Sequence, residues 1–443
     1  MFQRLPELAP GRSARCSRCA CRLERNNTHC PFLAPIALTI SSVILYLLAV
    51  AGPLMTFDVY GRSRTISLFT GPLELIREGW GPVGVLVMLA TVIFPAIVIG
   101  LMLVILMSVT RGQPSAWTAR RFRWHNKLRP WAMIEVYILG VFVAYSKLID
   151  LARVEIGFSV YAIGGLMLTM GITDATLRVD LIWQRIRGTA GDRLENAGPA
   201  KRDVGNPGLP PPGKMIACTA CSLVCSSPYA LELEAPVGPC PRCNQTLRRR
   251  KPDSLRRTVA LTSAAAIFYI PANLFPIMTI IKLYQGGGHT IVEGVLELYA
   301  AGMLPLALLV FFASITVPVL KIVSLGVMML GTWRGSAVLL VDRSKLYWIV
   351  EFIGRWSMID VFMVSILVGL VQFGALGNIR ANAGVEAFAA VVVLTIFAAN
   401  AFDPRLMWDA AGLNGVEPSA RQRRRDAERS PGREAAKGEA AKA

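Results

Sequence analysis

Acidic residues and histidines are scarce in this sequence. Asp and Glu total 29 against 47 Lys and Arg, histidine occurs three times, and charged residues make up 17% of the 443 positions. That little charge excludes an ordinary pair or trio of soluble domains, which would carry about a quarter charged residues. Catalytic signatures are absent too: there is no HExxH, no GxSxG and no Walker-type phosphate loop. Nothing nominates a hydrolase or an ATPase, and the chain reads as a non-enzyme. The head of the chain is rich in arginine and cysteine, without a short apolar region before a small-residue cleavage site, so no removable signal is expected. Cysteine is missing from every apolar stretch; all nine lie in two clusters outside them. That distribution argues for metal binding in a reducing compartment and against a disulfide framework.

What is present is apolar surface and positive charge. Hydrophobic residues make up 53% of the chain, and the formal charge is +18. Apolar runs fall at about 32–57, 81–110, 130–151, 158–177, 258–282, 302–332, 352–376 and 385–402. Each is long enough to cross about 30 Å of hydrocarbon as a helix. The loop 111–129 holds Arg111, Arg120, Arg121, Arg123, Lys127 and Arg129 and no acid, and the segment 178–257 and the tail after Arg405 are also basic. The loop 283–300 has neither Lys nor Arg. The positive-inside rule then puts both termini and the central segment in the cytoplasm, with eight crossings. Orientation and anionic headgroups account for the positive charge, so nucleic acid is not an expected partner.

The eight runs are one unit of four written twice. Trp131-Ala132-Met133-Ile134-Glu135-Val136-Tyr137 returns as Trp356-Ser357-Met358-Ile359-Asp360-Val361-Phe362, and Trp183 and Trp408 follow at equal separations. Pro53-Leu54-Met55 matches Pro276-Ile277-Met278, Gly79 and Pro82 match Gly302 and Pro305, and Pro95 matches Pro318. Four helices per copy give both copies one orientation, a parallel repeat whose substrate path commonly lies between the halves.

The cysteine clusters differ. Cys218 and Cys221, then Cys240 and Cys243, form two CxxC pairs about eighteen residues apart, the spacing of a zinc ribbon whose four thiolates close a tetrahedron. Cys225 lies outside this pattern, as a spare thiol or a substitute ligand. The first cluster, Cys16, Cys19, Cys21, His29 and Cys30, has one CxxC and a short gap. It can supply four soft ligands but no full ribbon hairpin, and it reads either as a second zinc site or as a degenerate head. A closed four-ligand site leaves no position for substrate, so the zinc expected here is structural.

Among the ionisable residues within apolar runs, five are candidates: Glu135, Lys147, Asp150, Lys321 and Asp360. Glu135 falls near the inner end of its helix, and Lys147 and Asp150 lie roughly 24 to 28 Å beyond that helix's start. Lys147 and Asp150 are three apart and share a face. Lys321 and Asp360 reach similar depth on neighbouring segments and can pair. Lys147 and Asp150 align with Gln372 and Ala375, and Lys321 aligns with Val98, so each half brings its own charges. They read as a polar path, including a proton relay, or as ion pairs that fix helix register. His125 and His289 read as surface loop histidines.

Several words in the chain resemble the paraquat-inducible protein A family of bacterial inner-membrane proteins. They are the CxxC…Cys240-Pro241-Arg242-Cys243 ribbon, Ile270-Pro271-Ala272-Asn273-Leu274-Phe275-Pro276, Thr290-Ile291-Val292-Glu293-Gly294-Val295, Val317-Pro318-Val319-Leu320-Lys321, Gly354-Arg355-Trp356-Ser357-Met358-Ile359-Asp360, and Ala401-Phe402-Asp403-Pro404-Arg405-Leu406-Met407-Trp408-Asp409. The resemblance runs from residue 16 to about 410, and the first cysteine cluster departs from it by lacking a second CxxC pair. It implies a role beside MCE (mammalian cell entry) proteins, which form periplasmic tunnels carrying lipid between membranes. A protein of this kind loads or receives phospholipid at the tunnel's base, with no ATPase domain of its own, which makes proton coupling attractive. The resemblance also places Lys147/Asp150 and Lys321/Asp360 at the centre of the membrane domain, with Thr395 on the last helix in a similar setting.

The expected fold is therefore an all-α polytopic membrane protein of two tandem four-helix repeats with small cytoplasmic zinc-ribbon modules. Its expected parts are a head (1–31), a first repeat (32–183), a linker (184–213), a ribbon (214–250), a second repeat (251–410) and a tail (411–443). The expected function is intermembrane phospholipid transport in the bacterial inner membrane with an MCE-domain partner. The other reading is a metal- or redox-responsive membrane scaffold in the envelope stress response.

Overall fold

The computed structural model describes residues 13–15, 22–25, 32–59, 62–112, 116–149, 153–186, 215–226, 235–282, 285–300, 302–336, 338–371 and 378–412. Among them, seven helical stretches are long and apolar enough to cross a membrane: Leu33–Ala51, Gly81–Thr110, Trp117–Ser146, Phe158–Thr176, Leu304–Trp333, Leu340–Leu370 and Ala383–Ala401. The fifth expected crossing is also a helix, Ser254–Leu274, but Arg256 and Arg257 in its first turns lower its apolarity. The chain divides into two compact units.

The first unit takes residues 1–199, 277–289 and 359–385. It opens with β1 (Ser13–Arg15) and β2 (Arg22–Arg25). Then come α1 (Leu33–Ala51), β3 (Met55–Val59), β4 (Arg62–Ile66), α2 (Thr70–Arg77) and α3 (Gly81–Met88). After these follow α4 (Phe94–Thr110), α5 (Ala116–Leu128), α6 (Ile134–Leu148), β5 (Arg153–Ile156), α7 (Phe158–Thr176) and α8 over 179–186. The second unit takes residues 200–276, 290–358 and 386–443. It holds the hairpins β6 (Met215–Ala217) with β7 (Val224–Ser226) and β8 (Pro236–Pro239) with β9 (Thr246–Arg248). Helix α9 (Ser254–Leu274) follows. Two strands of the first unit come next in the chain, β10 (Met278–Lys282) and β11 (Gln285–His289). The second unit continues with α10 (Ile291–Ala300), α11 (Leu304–Phe311), α12 (Val317–Trp333) and α13 (Leu340–Ile353). Helix α14 (Ile359–Leu370) and strand β12 (Asn378–Ala381) belong to the first unit. Helix α15 (Ala383–Ala401) lies in the second unit from Glu386 onward, and α16 (Arg405–Ala410) ends it.

Short strands join the helices where a run-by-run reading expects plain loops. In one sheet β3 is central, with Met55 opposite Ile66 and Ile156; in another β10 is central, with Met278 opposite His289 and Ala381. These strands are four or five residues long and mixed in polarity, so hydrophobic runs do not reveal them. The order β3, β4, α2, α3, α4 recurs as β10, β11, α10, α11, α12. Details recur with it. Gly79 and Gly302 close α2 and α10 in the left-handed region (φ 96° and 76°). The next amides, Trp80 and Met303, reach back to the Leu75 and Leu298 carbonyls, the Schellman pattern that only glycine enters freely. A π turn lies at Leu89–Ile93 and another at Phe312–Thr316, each just before Pro95 or Pro318. Proline has no N–H to offer the preceding turn, and one wider turn absorbs that loss while the helix continues. Thr91 and Ser314 hydroxyls, inside the two π turns, donate to the Val87 and Val310 carbonyls.

Helix α14 is buried along its whole length and packs in the first unit on α2 and α6. Glycine permits the approach to α2: a Cβ at Gly71 would sit 2.5 Å from the Ser365 carbonyl, and one at Gly369 2.9 Å from the Gly71 Cα. In the second unit Leu325, Met328, Leu340, Tyr347, Ala398, Phe402 and Met407 form a core from α12, α13, α15 and the chain around α16.

Candidate functional site

Two places in the second unit concentrate chemistry. The first is the pair of β-hairpins. Each CxxC occupies a turn in which the first cysteine's carbonyl accepts from a residue four further on: Ser222 to Cys218 at 2.9 Å, and Asn244 to Cys240 at 2.8 Å. Ser222 and Asn244 both take the left-handed region (φ 56° and 57°) to close these turns. The Sγ atoms of Cys218, Cys221, Cys240 and Cys243 are buried and lie within 4.8 Å of one another, an arrangement able to hold a metal ion. Cys218 and Cys243 approach to 3.5 Å, Cys221 and Cys240 to 3.6 Å. Proton sharing with Cys243 pulls the Cys218 thiol down to about 4, and burial pushes Cys221 up to about 12. Sharing with Cys218 also raises Cys243. Cys225, on β7, stands outside the four. Cys16, Cys19, Cys21, His29 and Cys30 lie outside the described residues.

The second place is Lys321, in the first turns of α12 just beyond Pro318. It is 2% exposed. Its Nζ donates to the Gly354 carbonyl at 2.7 Å and to the Thr395 Oγ1 at 3.3 Å. Thr395 in turn donates to the Val392 carbonyl at 2.9 Å, so its oxygen faces the lysine as an acceptor. Gly354 opens the 3-10 turn Gly354–Met358, which leaves its carbonyl free of α-helical pairing. Any larger residue there would press on the lysine, since a Cβ would lie 3.0 Å from its Cε. The depth argument expects a carboxylate, Asp360, as the partner of Lys321. Within the second unit the lysine's described partners are two neutral oxygens, one from the backbone, which no side-chain inventory reveals.

Asp360 is buried in the first turn of α14. Glu135 accepts from Arg129 at 3.0 Å, and the same guanidinium reaches Asp174 at 2.8 Å. Glu135 is thus part of an ion-pair triad where α5, α6 and α7 meet. Lys147 lies on α6 with its side chain outside the described residues, as is Asp150. His125, read from sequence as a surface residue, is 4% exposed and stacks on Phe122. The loop assigned to it is the helix α5, and His125 falls on that helix's inner face with Thr118, Ala119 and Phe122.

A joint that sequence reasoning did not foresee ties the hairpins to the last helices. Arg250, just after β9, grips Asp409 on α16 with two bonds, 2.5 Å and 2.7 Å, and both side chains are largely buried. Lys251 donates to the carbonyls of Asn400 and Phe402 at the end of α15. Asp403 accepts from the Lys251 amide and from Arg405. The signal was present as the acid-bearing word Ala401–Asp409, but its partner is about 150 residues away in the chain.

Spans, buried lysine and cysteine cluster together define a multi-pass helical membrane protein with a small four-cysteine module able to hold a metal ion. The chain belongs to the family described as Paraquat-inducible protein A, which it matches over residues 33–187 and 255–412. It is 32% identical to the Intermembrane transport protein PqiA of Escherichia coli K12, over 92% of this chain and 94% of that one. It is 27% identical to the Lipophilic envelope-spanning tunnel protein A of the same organism, over 93% and 90% of the two chains. A Probable intermembrane transport protein of Haemophilus influenzae is 25% identical over 90% and 92%. No solved structure matches.

Proposed function

We propose that this chain is an inner-membrane component of intermembrane phospholipid transport, loading or receiving lipid at the base of a periplasmic tunnel formed by an MCE-domain partner. Relatives named for intermembrane transport, matched over nine-tenths of their length, support the transport role. The observation that carries the reading is Lys321: a lysine almost without exposure, held by neutral oxygens inside an apolar helix bundle. A charge at that depth costs about 3 kcal/mol to insert, and intramembrane lysines persist chiefly where they serve an ion or substrate path. We read the ammonium, held on one side by these two oxygens, as a group that a lipid phosphate or a passing proton can engage. Thr395 and the Gly354 carbonyl orient it. Asp360, Glu135, Lys147 and Asp150 complete the proposed relay.

The chain acts as a transporter and not as an enzyme in this reading. Both termini and the hairpin module are cytoplasmic, and α9 is an eighth crossing. With Arg256 and Arg257 at headgroup level, Thr258–Leu274 still spans about 25 Å. The recurrence of sheet, capped helix and π turn supports duplication of a four-helix unit, 32–183 and 251–410. The four cysteines suit zinc: buried soft donors, a closed set and paired turns. Bound there, zinc would cross-link the two hairpins, and no step of transport runs through it.

The test is transfer of a fluorescent phospholipid between donor and acceptor vesicles, with the chain reconstituted beside its tunnel protein, with and without a pH gradient. Gradient-dependent transfer that Lys321→Met abolishes is the expected result. Transfer unaffected by the gradient and by Lys321→Met overturns the coupling. Absence of transfer, with no phospholipid co-purifying, overturns the transport reading.

A further inference from the structure

The helix α5 has an outer stripe that the transport reading does not use. Trp117, Arg120, Arg121, Trp124 and Lys127 are exposed and recur at three-, four- and seven-residue spacings, one helix face. Trp117 and Trp124 are 62% and 48% exposed. Each carries a cation over its ring: Arg120 lies 5.5 Å from the Trp117 centroid and Lys127 5.3 Å from that of Trp124. No acid occurs anywhere in the helix. The inner face holds α5 in place on its own: Thr118 meets Ser108, and Phe122 packs edge-on against Trp183 at 5.1 Å. The outer stripe therefore is not what holds α5 against the described residues of the unit.

The chain sets the depth of this stripe. Helix α4 ends at Thr110 and α6 begins at Ile134, after Pro130 and the extended Ala132 break the helix. A helix of about 20 Å tethered between the ends of two crossings lies at headgroup level. Indole rings favour that interface, and clustered cations attract anionic lipid there. The fold does not demand this composition. At matched positions α13 carries Asp342, Lys345, Leu346, Ile349 and Phe352, a stripe with an acid and three apolar residues.

We propose that the Trp117–Arg120–Arg121–Trp124–Lys127 stripe is a binding surface for the anionic phospholipid headgroups of the adjoining leaflet. Charge complementarity and the two exposed indoles select a lipid surface over other polyanions, because the stripe is held at the bilayer by the flanking crossings. The inference needs only those crossings, and it stands whether or not the chain moves lipid.

The test uses the full chain in nanodiscs of phosphatidylcholine with brominated phosphatidylglycerol or brominated phosphatidylcholine at equal content. The fluorescence difference between wild type and W117F/W124F isolates the two indoles. Stronger quenching by brominated phosphatidylglycerol is expected. That preference should fall about tenfold in R120Q/R121Q/K127Q, and in wild type at about 0.5 M salt. Equal quenching by both lipids in wild type overturns the proposal. So does RNA binding by wild-type nanodiscs that disappears in the triple variant while the lipid preference persists. The salt titration on wild type decides the matter even where the triple variant fails to insert.

Discussion

Lys321 shows what a single residue can commit to in this chain. Its two described bonds go to oxygens that carry no charge, so removing the ammonium strands the Gly354 carbonyl and takes one of two bonds from the Thr395 hydroxyl. Thr395 keeps its bond to Val392, and the Gly354 carbonyl is a weaker loss than an orphaned charge. Lys321→Met, close in volume, should therefore still insert and fold, with a loss of about 1–3 kcal/mol from the stranded carbonyl. Lipid transfer, by contrast, should fall at least about tenfold, as measured in the vesicle assay. Thr395→Val removes one of the two bonds and should lower transfer by only about two- to fivefold. A Lys321→Met protein that aggregates in mild detergent would show instead that the lysine is a packing element. The Arg250–Asp409 pair behaves oppositely, because both partners are charged and largely out of water. Arg250→Ala leaves an uncompensated carboxylate and should cost about 3–5 kcal/mol locally. Faster proteolytic release of residues 215–250 from detergent-solubilised protein is the expected readout.

Among the elements, the hairpin module and the π turns differ in how visible they are from the chain alone. Paired CxxC spacing announces four converging thiolates, because the ligand geometry itself fixes the turn that each pair must make. The apolar runs announce the helices for an equally local reason, since backbone groups in hydrocarbon must be satisfied within the segment. What stayed hidden depends on partners distant in the chain. The central strands β3 and β10 are recognisable only beside their neighbours, one of which in each sheet lies about 100 residues on. The basic segment 111–129 reads as a loop because six cations and no acid dominate it. Its inner face, which buries His125, is short and becomes apparent only once Phe122 meets Trp183. The carbonyl of Gly354 and the guanidinium of Arg129 are missing from the expected sites for the same reason. For the hairpins, metal removal is a sharp test. Cys218→Ser/Cys240→Ser should lose one zinc equivalent per chain by elemental analysis and expose residues 215–250 to protease. Helix content by circular dichroism should hardly change, since the crossings do not draw on the metal. Zinc release should also rise as pH falls, because protons compete for thiolates that the metal needs deprotonated. Constant metal content in the double variant would exclude this cluster as the zinc site.

For the whole molecule the open matter is the number of crossings, and it turns on α9. Among the described residues, length and composition count seven spans, and an odd count would place the two ends of the chain on opposite sides of the membrane. Energetics favour eight. Arg256 and Arg257 are both exposed, and Arg257 pairs with Asp253 one turn earlier, so the charged end of α9 can stay among headgroups. The remaining seventeen residues, Thr258–Leu274, contain no ionisable group apart from the Tyr269 hydroxyl, and long stems let the arginines reach back toward water. A slightly short span is accommodated at a fraction of a kcal/mol per Å, far less than the cost of leaving those apolar side chains in water. The consequence is directly measurable at Gly287, an exposed position on β11 just beyond α9. With α9 across the bilayer, Gly287→Cys faces the periplasm and should react with a membrane-impermeant maleimide in intact spheroplasts. Cys225, half-exposed on the hairpin module, should react only after permeabilisation. Labelling of both sites from the same side would remove α9 from the membrane, and the duplicated four-helix arrangement with it.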